Sequence, residues 1–335
     1  DRIESRGLGD VYKRQIVNYF NIYSNSFKSI NNIAKNYSSP SNYLDTNNNL
    51  IIPSGIDSFI TEVVSKQFAV TNEDFNTINY LNDRKNRLTS NNLIIGSSFS
   101  LSNKSINNIY NNEFSEFKLK VELAGNLTNL TSNLLNVSKD EFGNNKVLGL
   151  TFSQFIKTET GYIKHWPIGL NSIIAFRSFF GLAIPFGNSN NIPFSKSFFA
   201  GGSNDNRAWE VYRLGPGSSE ALSEFNEANM KIAMNIEYRF KILGRIDGAL
   251  FTDIGNIWNV FDDTKDSKRK FNSLKDLDEI AIGSGIGLRY NIGYFILRLD
   301  MGLKTYNPVL ESNERWLTDF NLKKAVFNIG LNYPF

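Results

Sequence analysis

The sequence contains no cysteine and a single histidine, His165. The lack of cysteine excludes disulfide bridges and thiolate metal sites, and one histidine is too few for a histidine-based metal centre or a catalytic triad. A strong charge of one sign is also lacking: 36 basic residues stand against 33 acidic ones, which gives no strong case for nucleic-acid binding. We therefore expect no catalytic site, no metal ion, no cofactor and no nucleic-acid partner.

Long hydrophobic runs are missing as well. No window approaches the roughly 18 consecutive apolar residues that indicate a membrane-spanning helix. A closed β-barrel can also cross a membrane, and its signal per segment is weak because half of its strand residues face a polar lumen. A mean hydropathy of −0.29 is therefore compatible with a membrane protein.

Aromatic residues, glycine and asparagine are abundant. The 27 phenylalanines and 14 tyrosines, with only 8 prolines, favour many strands and turns. Apolar and polar residues alternate with a period of two in several segments, most clearly in the carboxy-terminal third. These predicted strands are residues 93–101, 117–123, 147–166, 173–186, 231–242, 245–255, 295–303 and 327–335.

The lengths of the strands and of their connections separate two fold classes. Several segments exceed the five or six residues usual in soluble sheets and match the roughly 9–11 residues of a tilted membrane crossing. Short connections, such as residues 243–244 and 291–293, alternate with long polar ones at 259–280 and 305–324. Periplasmic turns and extracellular loops alternate in this way in outer-membrane barrels. We predict a transmembrane antiparallel β-barrel; a soluble sandwich, which also alternates apolar and polar faces, is the alternative.

The amino-terminal quarter has a different composition. Residues 1–15 are charged, show no strand alternation and are expected to be a non-native scar that takes no part in the fold. Residues 16–90 are predicted to hold a short strand at 16–25 and a long extracellular loop rich in asparagine and serine, with a helix near residues 57–66. The barrel is expected over residues 91–335.

A long segment between two predicted strands, residues 187–227, is too ordered in composition for a spacer. It contains two glycine-rich turns, at Gly201-Gly202 and at Gly215 and Gly217, and an Arg207-Ala208-Trp209 step. Loops of this length are usually functional or disordered, and this one is too aromatic for disorder.

The segment resembles the inward-folded loop of the BamA/TamA family of outer-membrane assembly proteins, also called the bacterial surface antigen superfamily. The family's loop tip reads apolar residue, Arg, Gly, aromatic residue; here it reads Asn206, Arg207, Ala208, Trp209, so two of four positions depart. The flanking PFSKSFFAGGS and LGPGS blocks are similar to Bacteroidetes-like, TamA-type members. FTDIGNIWN, residues 251–259, resembles the family's aromatic-x-Asp-x-Gly strand motif, and NIEYRF, residues 235–240, fills the strand before it.

The resemblance implies a barrel of sixteen strands, of which this chain supplies a carboxy-terminal fragment of about ten, without the periplasmic POTRA repeats. It also implies that the long loop lies in the lumen and that Arg207 is latched to Asp253. Asp253 shares a strand face with Asp247 and therefore points into the lumen if Ile254 faces lipid. A guanidinium fork suits a carboxylate partner, and Glu237 is a second candidate acceptor for Arg207. Trp209 is the fourth residue of the predicted latch.

The carboxy terminus, FNIGLNYPF, resembles the terminal signal by which outer-membrane barrels are recognised for insertion; an ordinary terminal strand is the alternative. Phe327, Tyr333 and Phe335 share one strand face, and Gly330 lies on the opposite face. Because glycine weakens strand packing, the last strand is a candidate lateral gate.

By this resemblance, the intact protein would insert, assemble or translocate proteins at the outer membrane of a Gram-negative bacterium, without catalysis. The implied partners are outer-membrane lipid, nascent outer-membrane proteins or lipid-linked cargo, and a TamB-like periplasmic protein. A polypeptide-secreting transporter of the same superfamily and the barrel carrier of a patatin-type lipase are alternatives, with a passive porin ranked last. His165 and Trp258 are expected in an interfacial aromatic girdle.

Overall fold

The computed structural model describes residues 2–7, 10–12, 25–37, 43–89, 92–108, 113–135, 137–140, 143–220, 226–264 and 266–331. The chain divides into two units. The first contains residues 1–11, 93–221 and 225–335, and the second contains residues 12–92 and 222–224.

A ten-stranded sheet dominates the first unit, and every strand pair in it is antiparallel. In spatial order its strands are β1 (Arg2–Gly7), β4 (Gly96–Asn108), β5 (Glu113–Ala124), β8 (Phe155–Pro167), β9 (Ser172–Pro185), β10 (Met230–Leu243), β11 (Ile246–Trp258), β12 (Ala281–Asn291), β13 (Ile296–Tyr306) and β14 (Val326–Leu331). A smaller sheet contains β2 (Asp10–Tyr12), β3 (Asn92–Ile94), β7 (Leu150–Phe152) and β6 (Lys146–Val147). The predicted antiparallel all-β fold with about ten strands is confirmed.

The burial pattern of the large sheet is inverted relative to a soluble sandwich. On β10, Asn235, Glu237 and Arg239 are at most 6% exposed, whereas Ile236 and Tyr238 between them are 45% and 39% exposed. The same outward apolar face continues on the neighbouring strands, at Leu250, Ile286, Leu288, Leu299, Phe327 and Ile329. A soluble sheet buries its apolar face, whereas a membrane barrel turns that face to lipid. The pattern therefore favours the barrel over the sandwich.

The second unit is helical, which corrects the prediction of a long loop containing one short helix. It contains α1 (Asn25–Asn36), α2 (Ser54–Val64) and α3 (Asn72–Thr89). The buried residues of α2 recur at helical spacing: Ile56, Phe59, Ile60 and Val63. The helix predicted near residues 57–66 overlaps α2, whereas α1 and α3 are rich in asparagine, a weak helix former, which hides them in the sequence. In the described ranges no helix is long and apolar enough to cross a membrane.

The amino terminus also departs from the prediction. The first strand, β1, pairs with β4 in register from Arg2 opposite Ser102 to Gly7 opposite Ser97, although residues 1–15 were expected to lie outside the fold. An exposed sheet edge offers backbone donors and acceptors to any extended segment, so this pairing does not need alternating side chains. Of the strand predicted at 16–25, residues 16–24 lie outside the described residues, and residue 25 is the first residue of α1.

The last described strand, β14, pairs with β13 and ends the sheet; within the described ranges no pairing joins it to β1. Phe327 and Ile329 of β14 are 73% and 74% exposed on the outward face. Asn328 and Gly330 alternate with them and point inward, as the sequence predicts. Tyr333 and Phe335, the other members of the predicted terminal signal, lie outside the described residues.

A hydrogen-bonded cap closes the end of the sheet where the long connections lie. Glu279 accepts hydrogen bonds from Ser218 Oγ at 2.7 Å and from Trp258 Nε1 at 3.1 Å. Trp258 is fully buried, and its ring lies 5.6 Å from that of Phe271. It therefore belongs to this cap and not to a lipid-facing girdle. His165 is also buried, 4.2 Å from the ring of Phe114, so neither residue takes the predicted interfacial position.

The cap predicts a pH dependence of stability. Burial raises the pKa of Glu279, although the hydrogen bonds from Ser218 and Trp258 act in the opposite direction. A carboxyl group whose folded pKa lies above its unfolded value, about 4.3 for glutamate, stabilises the fold below that value and loses the contribution as pH rises through the folded pKa. We expect the unfolding temperature to fall over this window in the wild type and to change less in Glu279→Gln, measured at several pH values. Equal slopes in the two proteins would contradict this assignment.

Candidate functional site

The connection between β9 and β10, residues 186–229, folds back over the inward face of the large sheet. Lys196 at its start forms an ion pair with Glu122 of β5 at 2.6 Å. Further on, the backbone oxygens of Asn204 and Asp205 accept hydrogen bonds from Arg177 of β9 and Asn235 of β10, both at 2.7 Å. The loop is therefore held by side chains from several strands.

The two predicted glycine turns shape this loop. Gly201, Gly202, Gly215 and Gly217 all have positive φ, at +93°, +99°, +72° and +55°. A Cβ atom on Gly201 would lie 2.2 Å from the carbonyl oxygen of Glu210, which belongs to the same loop. Both the backbone conformation and the close approach require glycine there.

The tip of the loop carries Arg207, which is buried among acidic side chains. Its Nε and Nη2 atoms donate to the two oxygens of Asp253 at 2.8 and 2.9 Å, and its backbone N–H donates to the same carboxylate at 3.0 Å. Its Nη1 atom donates to Glu237 at 2.5 Å, and the guanidinium lies 3.5 Å from the centre of the Phe251 ring. The structure therefore brings Arg207, Asp253 and Glu237 together in one contact.

The electrostatics of the tip follow from this geometry. Burial by itself would lower the pKa of Arg207, but attraction by Asp253, Glu237 and Asp300 raises it above the ordinary arginine value. Arg207 is 1% exposed and the side chains of its partners are fully buried. Removing one member of a buried ion pair costs about 3–5 kcal/mol, because the other charge is left uncompensated.

The network extends to residues for which the sequence gave no partner. Arg239 and Arg289 donate to the second oxygen of Glu237 at 2.8 and 3.0 Å. Arg289 also donates to Asp300 at 2.6 Å, and Arg298 lies 3.0 Å from the same carboxylate. Arg239, Arg298 and Asp300 alternate with apolar residues along their strands, so alternation can place them on the polar faces. Their partners depend on strand register, which alternation does not give.

The other tip residues have distinct packing roles. Asn206 donates weakly to the backbone oxygens of Asp253 and Ala281, both at 3.5 Å, and its Oδ1 accepts from the Ala208 N–H at 3.3 Å. Trp209 is 4% exposed and lies in the hydrophobic cluster with Phe198 and Ile257. Asn206 and Ala208, the two residues that depart from the family's tip sequence, are both buried.

Two glycines of the sheet, which sequence reasoning missed, form the surface under the tip. A Cβ atom on Gly302 of β13 would lie 2.4 Å from the backbone oxygen of Arg207. On Gly283 of β12 it would lie 2.6 Å from the Cβ of Ala208. Contacts this short with buried atoms require the tip to shift. Glycine here permits close approach of the loop to the strands.

Because the tip lies so close to these strands, we expect glycine-to-alanine substitutions at two sheet positions to differ strongly in their effect on stability. We expect Gly302→Ala to destabilise the folded state by roughly 1–3 kcal/mol through overpacking and to expose the tip to trypsin at Arg207. Gly161→Ala on β8 is the control, because its Cβ would find no atom nearer than 3.9 Å. Unfolding temperature and limited proteolysis measure both effects, and equal behaviour of the two variants would be inconsistent with a tightly seated tip.

The last strand contacts the tip directly. Asn328 of β14 donates its side-chain N–H to the backbone oxygen of Arg207 at 3.0 Å. Gly330, two residues further, leaves room for Arg298: a Cβ atom there would lie 2.9 Å from Arg298 Nη2. The predicted gate strand and the predicted loop latch are therefore in contact. The described part of the chain contains no group of three or more His, Cys, Asp or Glu residues able to hold a metal ion.

Fold and site together define a class of protein: a long-stranded antiparallel sheet, apolar outside and polar inside, with a folded-in loop latched by a buried arginine. The Omp85 superfamily domain matches residues 11–330, and the chain belongs to the Omp85 superfamily. The predicted resemblance is therefore confirmed at the level of the superfamily.

Solved structures similar to the chain include BamA from Haemophilus ducreyi lacking POTRA domains 1–3. The similarity has a TM-score of 0.39 and 12% sequence identity, and it covers 71% of this chain and 54% of the BamA chain. The chain thus spans about half the length of that structure. A search of curated proteins finds no sequence that matches.

Proposed function

We propose that the protein is an outer-membrane assembly or translocation factor that acts without catalysis in a Gram-negative bacterium. The observation that carries this proposal is the loop tip, where Arg207 joins Asp253 and Glu237 beneath the last strand. Membership of the Omp85 superfamily supports the same function at the level of outer-membrane insertion or translocation.

The mechanism in this proposal is mechanical. The latched tip braces the wall formed by β10 to β14, so that the wall moves as one body. The edge of β14 that does not pair with β13 is then the lateral gate, because a short strand with an inward glycine is weakly held. Opening at this edge would offer backbone donors and acceptors to an incoming strand.

The proposed finer identity is a TamA-type member similar to those of Bacteroidetes. The flanking blocks of the loop, PFSKSFFAGGS and LGPGS, support it. Its proposed partners are outer-membrane lipid, nascent outer-membrane proteins or lipid-linked cargo, and a TamB-like periplasmic protein. The three carboxylates that lie within 4 Å of Arg207 are all paired with arginine, which favours a structural role for them over acid–base catalysis: Glu237, Asp253 and Asp300.

A disulfide across the gate tests this mechanism, and the absence of native cysteine makes the crosslink unambiguous. Phe327→Cys on the last strand is combined with a second cysteine on the first strand of the barrel, at the residue that faces Phe327 across the gate. We expect at least a tenfold loss of assembly activity under oxidising conditions and recovery with reductant, because the locked edge cannot accept a strand. Activity is measured as the amount of outer-membrane protein inserted.

The matched control locks two strands that remain paired. Leu288 of β12 and Leu299 of β13 are register partners on the outward face, and Leu288→Cys with Leu299→Cys joins them. This pair is expected to leave assembly unchanged. If assembly activity stayed unchanged once the gate crosslink had formed, the free edge of β14 would not be the lateral gate.

A further inference from the structure

Two buried arginines of the sheet face each other across neighbouring strands. Arg289 of β12 and Arg298 of β13 are register partners, and each is 1% exposed. Like charges directly opposite on adjacent strands are destabilising. Asp300 contacts both, through Arg289 Nη1 at 2.6 Å and Arg298 Nε at 3.0 Å, and one carboxylate cannot neutralise two guanidinium groups.

The surrounding network does not supply the missing negative charge. The inward faces of β10 to β13 and the loop tip bury five cations but four carboxylates, which leaves one positive charge in excess: Arg207, Lys231, Arg239, Arg289 and Arg298 against Asp205, Glu237, Asp253 and Asp300. Lys231 pairs with Asp205, Asp253 is engaged by Arg207, and Glu237 is shared by three arginines. The excess charge therefore lies in the network that contains the Arg289–Arg298 pair.

Both arginines also carry donors without an acceptor. In the described residues, Arg289 Nε and Arg298 Nη1 are buried and make no hydrogen bond. Arg298 Nη2, in contrast, donates to the backbone oxygen of Ser203 at 2.8 Å and to Asn204 Oδ1 at 3.0 Å. A buried unpaired donor on a charged group is costly. An oxygen-bearing anion would satisfy both the donors and the charge.

The position of the pair allows access from one end of the sheet. The second strand of the pair, β13, begins at Ile296, and β12 ends at Asn291, so both arginines lie within about 7 Å of the short turn that joins these strands. On the side of β14, Gly330 contributes no side chain between Arg298 and the end of the sheet. The short-turn end is therefore the end of the sheet from which an anion would approach the pair.

We propose that Arg289 and Arg298 form a binding site for one oxyanion, a carboxylate or a phosphate group. Planar guanidinium groups present paired N–H donors that match the oxygens of either group. This site shares Glu237 and Asp300 with the Arg207 network, and it does not depend on the proposed assembly function.

The test is a titration of the protein in a non-ionic detergent with sodium phosphate or sodium acetate. Sodium chloride at equal ionic strength is the reference. We expect a saturable rise in unfolding temperature of roughly 2–4 °C with at least one of the two anions. The anion that acts at lower concentration identifies the preferred group. No rise with either anion above the chloride reference would overturn the proposal.

Two variants assign the response to the pair. Arg298→Gln should abolish the rise, whereas Arg213→Gln, a half-buried arginine elsewhere in the loop, should retain it. Gly330→Asp places a carboxylate beside Arg298, since a Cβ atom there lies 2.9 Å from Nη2. It should remove the response to phosphate and acetate, because the new carboxylate occupies the place of the anion. A response retained in both Arg298→Gln and Gly330→Asp would exclude this site.

Discussion

Replacing Arg207 by alanine is expected to abolish assembly activity and to cost about 3–5 kcal/mol of folding free energy. The substitution removes the one cation that joins the loop to Asp253 and leaves this fully buried carboxylate with no ionic partner within 4 Å among the described residues. Arg207→Lys should give an intermediate result, because one ammonium group cannot reproduce a bidentate fork and a third donor to Glu237. Insertion of outer-membrane proteins and the unfolding temperature are the two readouts.

Arg213→Ala is the matched control for this experiment. Arg213 lies in the same loop and is half-buried, and among the described residues its ion pair is with Glu210, at 4.0 Å. Exposed pairs of this kind contribute at most about 1 kcal/mol. If Arg207→Ala and Arg213→Ala lowered stability equally, the latch would not hold the loop.

Replacing Glu237 by glutamine is expected to be nearly as damaging, although the two side chains have the same shape. Glu237 pairs with three arginines, and its neutralisation would leave the four guanidinium groups of the network against two carboxylates. We expect a loss of about 3–5 kcal/mol, measured by denaturant unfolding in detergent.

A double-mutant cycle with Arg239 separates charge balance from packing. Arg239 donates to Glu237 at 2.8 Å, and Arg239→Gln removes one cation from the same network. We expect the double variant Glu237→Gln with Arg239→Gln to be more stable than the sum of the single effects predicts, with a coupling of about 0.5–3 kcal/mol. Strict additivity would show that the network does not act through charge.

The pairing of Arg207 with Asp253 and Glu237 illustrates what a sequence can predict about such a site. Alternation placed Asp253 on the polar face of its strand, and the glycine-rich turns marked the loop that carries Arg207. The resemblance to a known loop then joined the two. The glycines under the tip, Gly283 and Gly302, carried no such signal, because a glycine inside a strand has several ordinary explanations.

The helices of the second unit show the opposite case. The helix predicted near residues 57–66 corresponds to α2, but α1 and α3 are rich in asparagine, a composition typical of loops. Burial of Ile30 in α1 and of Ile78 and Leu81 in α3 stabilises these two helices despite their composition. Tertiary packing commonly overrides weak local propensity in this way.

The sequence by itself determined the antiparallel strands, their inward and outward faces and the loop that interrupts them. These properties are local: period-two alternation and turn residues are written in consecutive positions. The tertiary structure decided which charges meet, since contacts between Arg289, Arg298 and Asp300 depend on the register of β12 against β13. It also decided how closely the tip approaches the sheet, because packing distance arises only when distant segments come together.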